Sequence, residues 1–132
     1  MRVTVDTNVL LRTIVADDPD QARLAAALLD KADAIVVCLP VLTELVWVLR
    51  RSYAVSRADV ADTIRTLCQT EKVSVDQAAV NAGLVCLEAG GDFADGVIAH
   101  QGAWLGGEVF VSFDVKAVKA LTATGVTAQL LV

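Results

Sequence analysis

Short apolar runs alternate with helix-like segments along all 132 residues of this chain. The runs at residues 3–5, 34–38 and 108–111 are rich in β-branched side chains and are typical of strands buried on both faces. Between them, apolar residues recur at helical spacing. Strands that alternate with helices favour right-handed crossovers and parallel pairing. The sequence therefore predicts an α/β fold, a three-layer α/β/α arrangement around a central, mostly parallel sheet of four to five strands.

Turn and capping residues divide the chain into five strands and seven helices. Asp17-Asp18-Pro19, Ser56 or Arg57, and Asp76 are expected to start helices, and Gly90-Gly91 to end one. The predicted strands are residues 3–5, 34–38, 73–75, 108–111 and 127–131. The predicted helices are residues 9–15, 19–31, 41–51, 58–69, 77–89, 92–104 and a short one that holds Lys116 and Lys119. Because no linker or repeat interrupts this order, a single domain over residues 1–132 is expected.

The apolar content is high, with 55% hydrophobic residues and a mean hydropathy of +0.58. The longest stretch without a charged residue is 13 residues, at 120–132, short of the roughly 20 that a spanning helix needs. Asp6 interrupts the first apolar run, so no signal peptide is expected. We therefore expect a cytoplasmic protein without a membrane segment, whose apolar excess serves a buried sheet and an oligomer or partner surface.

The cysteines and the lone histidine do not form a recognisable metal-binding pattern. Cys38, Cys68 and Cys86 are odd in number, lack a CxxC pair and lie in apolar segments, so buried reduced thiols are expected. A single histidine, His100, is more typical of a packed or capping residue than of a zinc ligand.

Asp6 follows the first predicted strand directly, where a strand gives way to a helix. Open α/β sheets bind ligands at the carboxyl ends of their strands. Asp6, Thr7 and Asn8 are also ordinary helix-capping residues, so this stretch alone leaves both interpretations open.

Glu44 stands among apolar residues at residues 41–49, on the helical stripe of Val41, Leu45 and Val48. A buried carboxylate needs a cation or a hydrogen-bond partner, because burying a lone charge costs several kcal/mol. No basic residue lies within one helical turn. The sequence therefore favours a metal or a distant basic residue as the partner of Glu44.

Three further acids lie where ligands would be expected. Asp92 and Asp95 are three residues apart at the start of a helix, and Asp114 ends a strand as Asp6 does. Capping explains Asp92 well and Asp95 less well. Asp6, Glu44, Asp95 and Asp114 thus form a candidate set of oxygen ligands, which suits Mg²⁺ or Mn²⁺ and phosphoryl-transfer chemistry. The net charge of −5 does not exclude a nucleic acid, since two bound divalent cations would offset most of it.

Four short motifs appear in order along the chain: Val5-Asp6-Thr7-Asn8, Thr43-Glu44-Leu45, Asp92-Phe93-Ala94-Asp95-Gly96-Val97-Ile98-Ala99 and Val111-Ser112-Phe113-Asp114. With these motifs the chain resembles the PIN-domain ribonucleases, most closely the VapC toxins of bacterial toxin–antitoxin pairs.

The resemblance implies a role for each matching residue. The family's metal-binding acids match Asp6, Glu44, Asp95 and, as a more variable fourth, Asp114. Asp92 matches an accessory acid, Thr7 and Asn8 a supporting polar pair, and Ser112 a supporting hydroxyl. Gly96 stands where alanine is common, and His100 where a small residue is usual. The resemblance further implies one or two Mg²⁺ or Mn²⁺ ions, a metal-activated water that cleaves single-stranded or loop RNA, a homodimer, and inhibition by an antitoxin protein.

Residues that could bind RNA are few. Arg12, Lys116 and Lys119 are candidates for phosphate contacts, whereas Arg50 and Arg51 are interpreted as solvated residues at a helix end. Most of the six aromatic residues are expected in the core, so the sequence does not predict a base-stacking platform.

Three rival functions fit the sequence less well than a ribonuclease. A phosphatase of the haloacid dehalogenase type would need an acid at position 8 and a strand before its late acidic motif, but Asn8 and a predicted helix at residues 77–89 stand there. A receiver-like signalling domain would need a phospho-acceptor Asp after the third strand and a Lys after the last, and no Lys follows the last strand. A catalytically inactive PIN-like binding module is disfavoured because all four acids are present.

Overall fold

The computed structural model describes all residues, 1–132, which form two compact units, Met1–Asp76 and Gln77–Val132. In the first unit, three strands pair in parallel in the order β1-β2-β3, with Val3 opposite Ile35 and Ile35 opposite Val73. The elements of this unit are β1 (Arg2–Thr4), α1 (Thr7–Ile14), α2 (Pro19–Lys31), β2 (Ala34–Val36), α3 (Leu39–Arg51), α4 (Arg57–Gln69) and β3 (Val73–Ser74).

Helix starts in the first unit are fixed by the residues that the sequence indicated. The Asp18 carboxylate accepts a hydrogen bond from the Gln21 backbone N–H at 3.1 Å, with Pro19 in the first turn of α2. Ser56 caps α4 in the same way, by accepting from the Asp59 N–H at 3.1 Å. These caps satisfy backbone donors that have no partner inside the helix.

The second unit contains two helices packed side by side, a parallel strand pair and a final helix. Its elements are α5 (Gln77–Glu88), α6 (Phe93–Trp104), β4 (Phe110–Ser112), α7 (Val115–Ala123) and β5 (Ala128–Leu130). Phe110 lies opposite Ala128 in the β4–β5 pair. Beside this pair, Cys86 and Leu121 are each 1% exposed and belong to a small apolar cluster.

Glycines allow α5 and α6 to approach closely. A Cβ added to Gly96 would lie 2.4 Å from the carbonyl oxygen of Ala82 and 2.8 Å from the Cα of Gly83. A Cβ added to Gly83 would lie 2.6 Å from the ring of Phe93, which is itself 1% exposed. The close packing of these backbones therefore depends on two residues without side chains.

The α/β class and the parallel direction of the strands are confirmed, as are all seven helices and five strands. The strands are shorter than predicted, at two or three residues each, and their hydrogen bonds group them into a set of three and a set of two. Val3 is only partly buried and Arg2 and Thr4 are exposed, so the expectation that the first strand is buried on both faces is wrong. No helix has the length and apolar character needed to cross a membrane.

Several expectations about burial are also wrong. Glu44 is exposed, because the buried face of α3 is formed by Leu42, Leu45, Val46 and Leu49. Cys38 is exposed, whereas Cys68 and Cys86 are buried as expected. Half of the aromatic residues also lie largely outside the core, namely Trp47 (58% exposed), Trp104 (81%) and Phe113 (79%).

Candidate functional site

Asp6 lies at the junction between β1 and α1 and is exposed. Its carboxylate accepts a hydrogen bond from the Val9 backbone N–H at 3.3 Å, so Asp6 is the N-cap of α1. The capping interaction leaves further lone pairs on the two carboxylate oxygens. Capping and ligand binding are therefore compatible at this residue, because the cap itself fixes the direction of the carboxylate.

Asp6 and Glu44 line the same small pocket, of about 250 Å³, in the first unit. Thr7 and Asn8 contribute to one wall, and the first turn of α3, with Pro40 and Val41, forms another. Thr7 is buried, at 6% exposure, while Asn8 is exposed. The structure thus brings together every predicted site residue of this unit except Arg12.

In the second unit, negative charge is concentrated around Asp95, in the first turn of α6. Burial raises the pKa of the Asp95 carboxyl, and the nearby charges of Asp92 and Asp114 raise it further. These three acids come from the start of α6 and the start of α7. The predicted acids of this unit are therefore close enough to repel one another.

The neighbours of Asp95 are held in different ways. Asp92 is the N-cap residue of α6, but its side chain makes no capping hydrogen bond. The expectation that its carboxylate caps the helix is therefore wrong. Asp114 does cap its helix, since its carboxylate accepts from the backbone N–H groups of Lys116 at 2.9 Å and Ala117 at 3.3 Å. The Ser112 hydroxyl oxygen accepts from the Asp114 N–H at 2.9 Å, which fixes the turn that carries this acid.

The basic candidates differ in whether their charge is already engaged. Arg12 donates to an Asp17 carboxylate oxygen at 2.6 Å and to the Gln21 side chain at 2.8 Å. The Tyr53 hydroxyl donates to the same carboxylate at 2.8 Å and, with Arg12, holds the pKa of Asp17 below its usual value. Lys116 and Lys119 are exposed on α7. Arg12 therefore has a structural role, which the sequence did not indicate.

The donor atoms of both groups of acids are carboxylate oxygens alone. No three histidine, cysteine, aspartate or glutamate side chains stand close enough together to hold a metal ion as a cluster. Mg²⁺ is usually held by one or two carboxylates and several waters, so the Asp6 and Glu44 pair suits such an ion in the type of its donors. The crowding at Asp95 is also of the kind that a cation relieves.

A larger cavity, of about 690 Å³, lies in the second unit and contains none of the candidate acids. Its lining is mostly apolar and includes Val85, Ile98 and Phe110, with His100 and Glu108 among its few titratable groups. We consider the acids the better candidate site, because a reaction needs polar groups that converge on one point.

Two features of the site were not found from the sequence. Pro40 and Val41 form a wall of the pocket, although only the placement of Pro40 in the first turn of a helix was visible in advance. Asp17 is hydrogen-bonded to both Arg12 and Tyr53, and Tyr53 lies 36 positions further along the chain. No local sequence pattern predicts a contact over that distance.

Comparison with known proteins gives one match. A family model described as "PIN domain" matches residues 3–120, which include every candidate acid and span both compact units. None of the curated proteins compared with this chain matches it.

Proposed function

The chain belongs to the PIN-domain family, and on that basis we propose that it is a metal-dependent endoribonuclease and the toxin of a toxin–antitoxin pair. PIN domains are generally metal-dependent nucleases. The observation that carries the proposal is the match over residues 3–120, which includes Asp6, Glu44, Asp95 and Asp114 in the order expected from the sequence. We also propose that residues 1–132 form a single PIN-like domain.

We propose that Asp6, Glu44, Asp95 and Asp114 hold one or two Mg²⁺ or Mn²⁺ ions. The pocket shared by Asp6 and Glu44 supports this, as does the charge concentrated at Asp95. Such an ion supplies a bound water of lowered pKa as the nucleophile and offsets negative charge on the phosphate. Thr7, Asn8, Asp92 and Ser112 have supporting roles in this proposal.

The chain's own residues orient the acids and bind RNA. The helix-capping bonds of Asp6 and Asp114 restrict their carboxylates to a narrow range of directions before substrate arrives. Asp92, whose carboxylate makes no cap, adds negative charge beside Asp95. Lys116 and Lys119 are exposed and can contact the phosphates of a single-stranded or loop RNA, whereas Arg12 would first have to leave Asp17.

The proposed partners are an antitoxin protein and a second copy of the chain, in the cytoplasm. Exposed apolar side chains support a protein-binding surface, among them Leu105, Phe113 and Val115, which are each more than half exposed.

The decisive experiment is RNA cleavage by the purified chain, freed of partners, with Mg²⁺ or Mn²⁺ and a mixed RNA pool. We expect new RNA ends at defined sites with the wild-type chain and none with Asp6→Asn, and sequencing of the ends identifies the substrate. Cleavage that persists unchanged in Asp6→Asn, or no cleavage by the wild type, would contradict the proposal. Turnover of a generic phosphate monoester would instead support the phosphatase, which the helix at Gln77–Glu88 already argues against.

Metal binding itself has a readout that does not depend on activity. An ion that binds only the folded chain stabilises it by about 2.7 kcal/mol at a hundredfold excess over its Kd. We therefore expect millimolar Mn²⁺ to raise the melting temperature by about 5 °C or more. The Glu44→Gln variant should fold normally and show a much smaller rise, and an equal rise in both chains would remove Glu44 from the set of ligands.

A further inference from the structure

Trp47 and Arg51 form a cation–π pair on the exposed face of α3. The Arg51 guanidinium carbon lies 5.9 Å from the centroid of the Trp47 ring, within the range of a cation–π interaction. Trp47 is 58% exposed, so a large part of its side chain is open to a ligand. From the sequence, most aromatic residues were expected in the core and Arg51 was interpreted as solvated at a helix end; neither Trp47 nor Arg51 has a part in the proposed metal site.

The pair shares its helix face with Glu44. Residues spaced by three, four and seven lie on one side of a helix, and the exposed residues of this side are Pro40, Glu44, Trp47 and Arg51. At a rise of 1.5 Å per residue, Trp47 is about 4.5 Å and Arg51 about 10.5 Å along the helix axis from Glu44. A strand that reaches the pocket of Glu44 can therefore continue over this pair.

The charge of Arg51 is available to a ligand. The ion pairs in the structure are formed by the amino terminus, Arg12, Arg23 and Arg65, and none includes Arg51. Its neighbour Arg50, by contrast, donates to the Val55 carbonyl at 3.0 Å. A guanidinium that is engaged only by an aromatic ring retains its donors for phosphate.

We propose that Trp47 and Arg51 form a binding subsite for single-stranded RNA, in which a base stacks on the Trp47 ring and Arg51 contacts the adjacent phosphate. Aromatic side chains bind single strands by stacking with any base, and basic side chains follow the backbone. This proposal rests on the ribonuclease function above and adds a substrate-binding site to it. A protein partner is a poorer fit, because a helix that docks on protein presents several apolar residues, whereas Trp47 is flanked on this face by Glu44 and Arg51.

Binding is tested first without cleavage. A fluorescein-labelled eight-nucleotide single-stranded RNA is titrated with the chain in EDTA, and its anisotropy gives Kd. Trp47→Leu should weaken binding by about tenfold or more, as expected for the loss of one stacked base. Trp47→Phe should retain most of the affinity. The matched control is Trp104→Leu, which removes the other exposed tryptophan and should leave Kd unchanged.

The contribution of Arg51 is separable by its salt dependence. A basic residue that contacts one phosphate contributes to the slope of log Kd against log salt, because binding releases a counterion. Arg51→Gln should weaken binding and reduce the slope by about 0.7, the value for one contact to a single strand. An unchanged slope would exclude Arg51 from phosphate binding.

Intrinsic fluorescence reports stacking directly, because the chain has only two tryptophans. In Trp104→Phe, Trp47 is the only one, and its emission should be quenched when the RNA is added. An abasic oligonucleotide of the same length should not quench it. In Trp47→Phe, where Trp104 alone remains, the RNA should have little effect.

The two proposals fail in distinguishable ways. In the presence of metal, Trp47→Leu should raise KM and leave kcat unchanged, because stacking stabilises the bound substrate and the transition state alike. Cleavage by the wild type together with unchanged Kd and KM in Trp47→Leu overturns the subsite alone. Absence of cleavage with quenching intact contradicts the nuclease and leaves the subsite supported. A change in sedimentation mass in Trp47→Leu, with RNA affinity retained, assigns the pair to self-association and overturns the proposal.

Discussion

Asp95→Asn is expected to abolish RNA cleavage and, at the same time, to raise the melting temperature of the metal-free chain. The loss of cleavage follows from the proposed role of Asp95 as a metal ligand, and we expect a decrease of at least about 100-fold, since even residues that only support a ligand cost 10- to 100-fold. The gain in stability follows from burial and from the repulsion of Asp92 and Asp114, which raise the pKa of Asp95. Asparagine keeps the shape and removes the charge.

The sign of this effect can be tested by varying the pH. A carboxyl whose pKa is raised by folding holds its proton longer in the folded chain than in the unfolded chain. The free energy of unfolding therefore falls as the pH rises from the ordinary value of 3.8 through the raised pKa of Asp95. Asp95→Asn lacks this contribution. Its melting temperature should exceed that of the wild type at pH 7, and the difference should shrink as the pH falls toward 3.8 and disappear below it.

Asp62→Asn provides the control, since Asp62 is an exposed acid on α4 whose side chain is 78% accessible. Removal of this charge breaks only a weak, exposed ion pair with Arg65 at 3.9 Å, so cleavage and the pH dependence of stability should stay nearly unchanged. Cleavage retained in Asp95→Asn would exclude Asp95 as a ligand. A lower melting temperature in metal-free Asp95→Asn than in the wild type would show that repulsion is not the dominant interaction of this carboxylate.

The elements of the fold were predictable because their signals are local. Asp18 with Pro19, Ser56 and Gly90 each act within one helical turn, and the helix starts and the helix end predicted from them lie within two residues of the observed ones. The grouping of the strands was not predictable in the same way. Hydrogen bonds between strands join residues 18 to 38 positions apart, and nothing in a run of two or three residues specifies its partner.

Glu44 shows how a candidate can be chosen for a wrong reason. Its apolar neighbours at Leu42, Leu45 and Val46 do form the core, but Glu44 itself lies on the opposite, exposed side of α3. In so apolar a helix, the stripe that faces the core cannot be assigned from spacing alone. Glu44 remains a candidate because it lines a pocket with Asp6, and not because it is buried.

For the same reason, the exposure of Trp47 could not be predicted from the sequence. An aromatic residue in an apolar helix is assigned to the core by default, and only the placement of the helix shows that its ring faces solvent beneath Arg51. Whether an aromatic side chain packs in the core or is exposed to solvent depends on how its helix packs in the tertiary structure. The sequence was therefore sufficient to identify the charged candidate residues, but not to identify Trp47 as a candidate for binding RNA.

Gly96→Ala is expected to destabilise the chain strongly, although the residue next to Asp95 is commonly alanine in the proteins that this sequence resembles. The new Cβ would lie 2.4 Å from the Ala82 carbonyl oxygen and 2.7 Å from the Cβ of Cys86. Because the closest obstacle is backbone, α5 and α6 must move apart. Overpacking of this kind costs about 1–3 kcal/mol, so the melting temperature should fall by about 5 °C or more.

Gly102→Ala is the matched control, since Gly102 lies in the same helix and a Cβ there would meet nothing within 4 Å. This substitution should stabilise the chain slightly, because alanine favours helix over glycine by about 1 kcal/mol. Two identical changes six residues apart should thus shift the melting temperature in opposite directions. A Gly96→Ala chain that melts at or above the wild-type temperature would show that α5 and α6 can separate without cost. The start of α6, which carries Asp95, would then not be held in place by its packing against α5.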